Sequence, residues 1–172
     1  MNDPAPSDLA GVRCHPLKPE TPAGKSDAEG RARQQLALNR TVAEALDAEG
    51  PFDLVYERHA LFAHAAMEWA KGRDIPSILE VNAPLIDEQK QHRSLACEEE
   101  AVAATGRTMQ AAAQVIAVSQ AVADYCAAFG ADARVVPNGV NPDRFAVPAR
   151  LEGPFTVGFL GTLKPWHDVD TL

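Results

Sequence analysis

Short β-branched or aromatic runs alternate with helical stretches along most of this 172-residue chain. That alternation limits the fold more than any other feature. Strands are expected over 52–57, 76–81, 115–118 and 134–136. A helix is predicted from the Ser26-Asp27-Ala28-Glu29 capping box to Glu49, with Leu38, Val42, Ala45 and Leu46 on one face and a stop at Gly50-Pro51. A second runs over 60–71 and closes at Gly72. Pro84 opens a loop and a helical region to about Ala113, with expected breaks near Ser94 and at Gly106. The last helix follows Ser119 and ends at Phe129-Gly130, where glycine suits the left-handed cap. Strands joined by long helical crossovers form right-handed βαβ units, so the chain is α/β with a parallel sheet and flanking helices.

The pattern changes at Ala133–Phe145, ARVVPNGVNPDRF. Val135-Val136 ends in Pro137, and Asn138-Gly139 is the strongest two-residue turn signal in the chain. Asn141-Pro142-Asp143 makes a second turn. A new strand is then expected over 155–160, ending at Gly161. Residues 1–25 are rich in proline and polar residues and are expected to be loosely ordered, with Val12–His15 as a short strand.

Composition excludes several classes. A net charge of −8 disfavours nucleic-acid binding and strong attraction to anionic lipid. Three cysteines, Cys14, Cys97 and Cys126, have no CxxC spacing, which argues against a disulfide framework or a zinc site and for a reducing cytoplasm. No basic and apolar leader opens the sequence. No apolar run reaches the roughly 20 residues that a membrane span needs.

Ligands of open parallel sheets bind beyond the carboxyl ends of the strands, so polar residues there are the candidates. Tyr56-Glu57-Arg58-His59 closes the first strand. Glu57 and Arg58 either simply meet solvent or line a pocket, where Arg58 would suit an anionic or hydroxyl-rich partner. Glu80 and Asn82 close the second strand with a carboxylate and an amide on the same side, and Glu88 follows on the next turn. That set suits sugar hydroxyls; alternatively, Asn82 only caps the turn before Pro84. Ser119 suits helix capping and has no Gly-x-Ser-x-Gly context for a nucleophile. The turn at Gly158–Leu163 could bring backbone N–H groups to a pyrophosphate, although two glycines three apart are weak evidence alone. His64 reads as a packed or surface residue within a helix, His15 and His92 lack metal-ligand spacing, and Cys97–Glu100 reads as a solvated acidic turn.

Taken in order, DLVYER, ILEVNAPL, VIAVS, PNGV-N-x-x-x-F and FLGTLKPWH resemble the retaining glycosyltransferases of family 4, with two facing Rossmann-like domains (the GT-B fold). The resemblance covers roughly residues 52–172. It implies a partial Rossmann-like acceptor-side domain over 26–150 and the first strand and loop of a donor-binding domain over 151–172. The chain is then expected to be a fragment without turnover of its own, the family's distal acidic motif lying beyond Leu172. The implied reaction moves a hexose from a nucleotide-diphosphate sugar to a hydroxyl of a carbohydrate or lipid-linked acceptor, with retention. Neither a cofactor nor a metal is expected, and peripheral membrane contact stays open. By resemblance, Glu57, Arg58, Glu80, Asn82, Glu88 and Ser119 face the acceptor or cleft. Asn138 and Gly139 form the interdomain corner, and Gly161, Thr162, Lys164 and His167 meet the donor diphosphate. The chain departs from the family in five places. Asn82 holds the place where many relatives have a sugar-contacting His, Asn141 stands where Asp is usual, Thr162 is not basic, His167 replaces a common Lys, and Asp168 stands where Gly is common and would repel a pyrophosphate. Two alternatives are a nucleotide-sugar 2-epimerase of the same fold and a non-catalytic α/β binding module.

Overall fold

The computed structural model describes residues 11–17, 27–144, 153–154 and 156–161. The chain falls into two compact units, Met1–Val136 and Pro137–Leu172. In the first, α1 (Ala28–Glu49), β1 (Val55–Arg58), α2 (Ala65–Lys71), β2 (Ser77–Val81), α3 (Leu85–His92), α4 (Glu98–Ala111), β3 (Gln114–Ala117), α5 (Gln120–Ala128) and β4 (Ala133–Val135) follow in that order. The sheet is wholly parallel in the order β1-β2-β3-β4, as the alternation requires. Its rows run Glu57↔Leu79↔Val115↔Ala133 and Arg58↔Glu80↔Ile116↔Arg134.

The period-2 alternation of strand side chains divides the sheet into two unlike faces. Val55, Leu79, Val81, Val115 and Ala117 are buried and join Met67, Trp69, Met109 and Cys126 from the helices in the main core. Tyr56, Arg58 and Arg134 on the opposite face are exposed, and Ile78, Glu80 and Ile116 are half-buried. An all-parallel sheet is ordinarily covered on both faces; among the described residues, only one is.

Several local expectations shift for identifiable reasons. Ser26 lies outside the described residues, and the cap of α1 is Asp27, whose Oδ1 accepts from the Gly30 N–H at 2.7 Å. Glu29 turns outward to Arg33 instead of closing a capping box. On α1, Val42 and Leu46 pack against the core, but the most buried residue of the central turns is Asn39. The helix expected from residue 60 begins only at Ala65. Phe62 adopts a left-handed φ of 70°, and Asn39 fixes that loop by using both ends of its amide. Its Oδ1 accepts from the N–H groups of His64 (2.8 Å) and Ala65 (3.0 Å). Its Nδ2 donates to the carbonyls of Phe62 (2.9 Å) and Leu36 (3.0 Å). A buried amide with all four bonds made replaces the missing local cap of α2.

The break near Ser94 separates α3 from α4. Gly106 does not break α4, because Thr105, Thr108 and Met109 around it are buried and that packing outweighs a glycine penalty of about 1 kcal/mol. Residues 12–15 form no strand. In the second unit, Asn138-Gly139 forms no tight hairpin turn, and Gly139 lacks the positive φ that such a turn needs. The strand before it belongs to a parallel sheet and, among the described residues, has no antiparallel mate to return to. The second turn does form: Asn141 Oδ1 accepts from the Asp143 N–H at 3.0 Å and opens a short 3-10 helix, Pro142–Arg144. Residue 155 is outside the described residues. Residues 156–160 carry no ladder pairing, so the strand expected there is not formed among the described residues.

Candidate functional site

The carboxyl ends of β1, β2 and β3 lie side by side because the sheet is parallel and nearly in register. On the open face they bring Tyr56, Arg58, Glu80 and Asn82 together. The Tyr56 hydroxyl donates to Glu80 Oε2 at 2.5 Å. Asn82 Nδ2 donates to Glu80 Oε1 at 2.8 Å. Those two donors, together with Arg58 nearby, hold the Glu80 carboxyl below the usual carboxylate range. Hydrogen bonding to Glu80 in turn raises the Tyr56 phenol. Each Glu80 oxygen keeps a lone pair for a further donor. Asn82 is held with its NH2 on the carboxylate, which leaves its carbonyl Oδ1 buried without a partner. The arrangement therefore offers hydrogen-bond acceptors of fixed direction beside an exposed guanidinium.

Glu57 and His59 belong to the other face. Alternation sends them under the helical layer, away from Glu80. Glu57 Oε2 and both ring nitrogens of His59 have no hydrogen-bond partner. Burial pushes the Glu57 carboxyl up to about 7 and the His59 imidazole down to about 4. The hydroxyls of Thr105 and Thr108 on α4 and Tyr125 on α5 are buried as well.

The remaining expected residues separate. Glu88 is exposed on α3, and no hydrogen bond or ion pair joins its carboxylate to Glu80 or Asn82. Ser119 sits exposed at the end of β3, and its Oγ accepts from the Val122 N–H at 3.4 Å, so it caps α5. Asn138 and Gly139 are exposed in the second unit, as is Gly161. Thr162, Lys164 and His167 lie outside the described residues. His64 stands at the N-cap of α2, not inside a helix. Its Nδ1 meets Glu68 at 3.0 Å and its Nε2 meets Arg107 at 3.1 Å. Burial opposes ionisation of Glu68, but Arg107 and His64 outweigh it and hold that carboxyl low. Among the described residues, no group of three or more His, Cys, Asp or Glu side chains is placed to hold a metal ion.

The family model for Glycosyltransferase Family 4 matches residues 5–144. The chain belongs to that family. No curated protein and no solved structure matches it. The match spans the whole described sheet, so the strand-end cluster of this family-4 chain is part of a glycosyltransferase domain. Among the described residues, no helix is long and apolar enough to cross a membrane.

Sequence reasoning missed Tyr56 and Asn39. Tyr56 was legible in principle: on a strand it must share a face with Arg58 and not with Glu57. Asn39 offered no signal, because its four partners lie in two segments that only the packed fold brings together.

Proposed function

We propose that this chain is the acceptor-side part of a retaining GT-B glycosyltransferase that moves a hexose from a nucleotide-diphosphate sugar to an acceptor hydroxyl. Family membership supports the class, and the observation that carries the acceptor assignment is the Tyr56–Glu80–Asn82 cluster. Its donors fix a carboxylate at a strand end whose oxygens keep lone pairs for further donors. Sugar hydroxyls are donors that such acceptors bind. In this reading Glu80 and Asn82 orient the acceptor, Arg58 flanks it, and Glu57 tunes the site from beneath. Ser119 faces the cleft while capping α5, Glu88 borders the acceptor, and Asn138-Gly139 forms the corner between the two sides.

The stretch Gly161, Thr162, Lys164 and His167 would meet the donor diphosphate. Catalysis would rest on stabilising the departing diphosphate in a closed cleft rather than on a protein nucleophile. The setting would be cytoplasmic, with a carbohydrate or a lipid-linked acceptor. Saturation-transfer NMR with monosaccharides tests the acceptor role. Binding to the wild-type chain that disappears in Glu80→Ala supports it; equal binding in both defeats it. Incubation with nucleotide sugars, followed by product analysis, tests the rest. A transferred sugar among the products supports the transferase, and an isomerised donor would point to an epimerase.

A further inference from the structure

A pocket of about 410 Å3 opens between the first half of α1, the loop after β1, and the end of α3 with the segment that follows it. Its volume lies in the range of small-molecule sites, and its loop wall follows the carboxyl end of β1, the side on which parallel sheets bind ligands. The pocket reaches the smaller of the two cores, to which Ala32, Phe62, Leu61, Leu95 and Ala96 of its lining belong. Ala32 and Phe62 are buried, while Leu61, Leu95 and Ala96 are half-buried. The neutral polar side chains in the lining are Gln35, Gln89 and Ser94. Among the described residues, no Asp or Glu lines it, and Arg31 and Arg93 are each engaged in interactions of their own. The loop wall is fixed before a ligand arrives. Phe62 stands at a left-handed φ of 70°, and Asn39 holds that loop through the Phe62 carbonyl at 2.9 Å and the His64 N–H at 2.8 Å.

We infer that this pocket takes the uncharged, apolar aglycone of a glycoside acceptor, an aryl or short alkyl group joined through oxygen. Leu61 and Leu95 meet its body, and Gln35, Gln89 or Ser94 meets its oxygen. Two features of the lining select that class. A charged ligand would leave water and find no free counter-charge, and burying an unpaired charge is strongly unfavourable. A sugar ring carries a hydroxyl on most of its carbons and would bury several of them against the apolar side chains that make up most of the lining. The inference rests on the glycosyltransferase reading and gives the acceptor a second contact, apart from the Glu80 cluster.

The test is calorimetric or NMR titration of the 172-residue chain with phenyl β-glucoside, glucose, benzyl alcohol and benzoate. Phenyl glucoside should bind roughly tenfold more tightly than glucose, and benzyl alcohol roughly tenfold more tightly than benzoate. Ala28→Trp, which fills the pocket from the first turn of α1, should remove both gains. The double variant Gln35→Ala/Gln89→Ala should weaken benzyl alcohol binding about tenfold through lost neutral hydrogen bonds. Gln35 is exposed and Gln89 half-buried, so the pair can be truncated without opening the core. Phenyl glucoside no tighter than glucose, benzoate as tight as benzyl alcohol, or gains unchanged in a folded Ala28→Trp variant would overturn the site. The two readings fail separately. If Glu80→Ala abolishes glucose binding but Ala28→Trp changes nothing, the sugar reading survives and the aglycone pocket does not. If Ala28→Trp abolishes benzyl alcohol binding but Glu80→Ala leaves glucose binding unchanged, the pocket stands and the Glu80 reading falls.

Discussion

Glu57 and Glu80 are the same side chain on neighbouring strands, one row apart, and the fold drives them in opposite directions. Glu57 enters the covered face, finds no donor for Oε2, and is pushed up to about 7 by burial. Glu80 enters the open face, accepts from Tyr56 and Asn82, and is held low. The difference teaches that strand parity, not residue type, sets the chemistry of a carboxylate at a strand end. The covered face is built for packing and tolerates a few unsatisfied polar atoms. The open face pairs the Glu80 carboxylate with Tyr56 and Asn82.

Truncation in one strand should separate the faces most strongly. Leu79 is fully buried and its neighbour Ile78 is only half-buried. Leu79→Ala should cost about 2–5 kcal/mol and Ile78→Ala about 1 kcal/mol, measured by urea unfolding. Equal costs would mean that the second face is as well packed as the first.

The next effect is a pH dependence that two groups hide from each other. Folded His59 stays neutral down to about pH 4, whereas the unfolded chain takes up that proton near 6.5, so this contribution is lost as pH falls from 6.5 to 4. Folded Glu57 stays protonated up to about pH 7, whereas the unfolded chain releases its proton near 4.5, so this contribution is lost as pH rises from 4.5 to 7. Each amounts to about 3 kcal/mol, and the two nearly cancel between pH 4.5 and 6.5. Glu57→Gln should therefore leave a protein that loses stability steadily below pH 6.5, and His59→Leu one that loses it above pH 4.5. Unfolding series at pH 4.5, 5.5 and 6.5 check this; flat profiles in both variants would place the two groups in contact with water.

On the open face, Tyr56→Phe should bring the Glu80 carboxyl back toward its ordinary range, visible by carboxyl-resolved NMR titration. Stability should barely change, because the pair is screened by solvent. No movement of Glu80 would mean that Asn82 alone holds it. The smallest expected effect is Ser119→Ala, about 0.5–1 kcal/mol, since its capping bond is long at 3.4 Å. A larger loss would give Ser119 a role beyond the cap.

The sequence by itself determined the order of strands and helices, the parallel sheet, the Gly50 and Gly130 helix ends, the Ser119 cap and the family. These depend on local propensity, on period and on motif order, which are properties of neighbouring residues. Only the tertiary structure decided that α4 runs through Gly106, that α2 starts late under Asn39, that Asn138-Gly139 forms no hairpin turn, and that Glu57 and Glu80 part company. Each of those outcomes depends on partners far away in the chain. Asn39 meets Phe62 and His64 across the α1–α2 contact, and Tyr56 reaches Glu80 across two strands. Packing and register bring such groups together after the local elements exist, and burial then decides which of them remain charged.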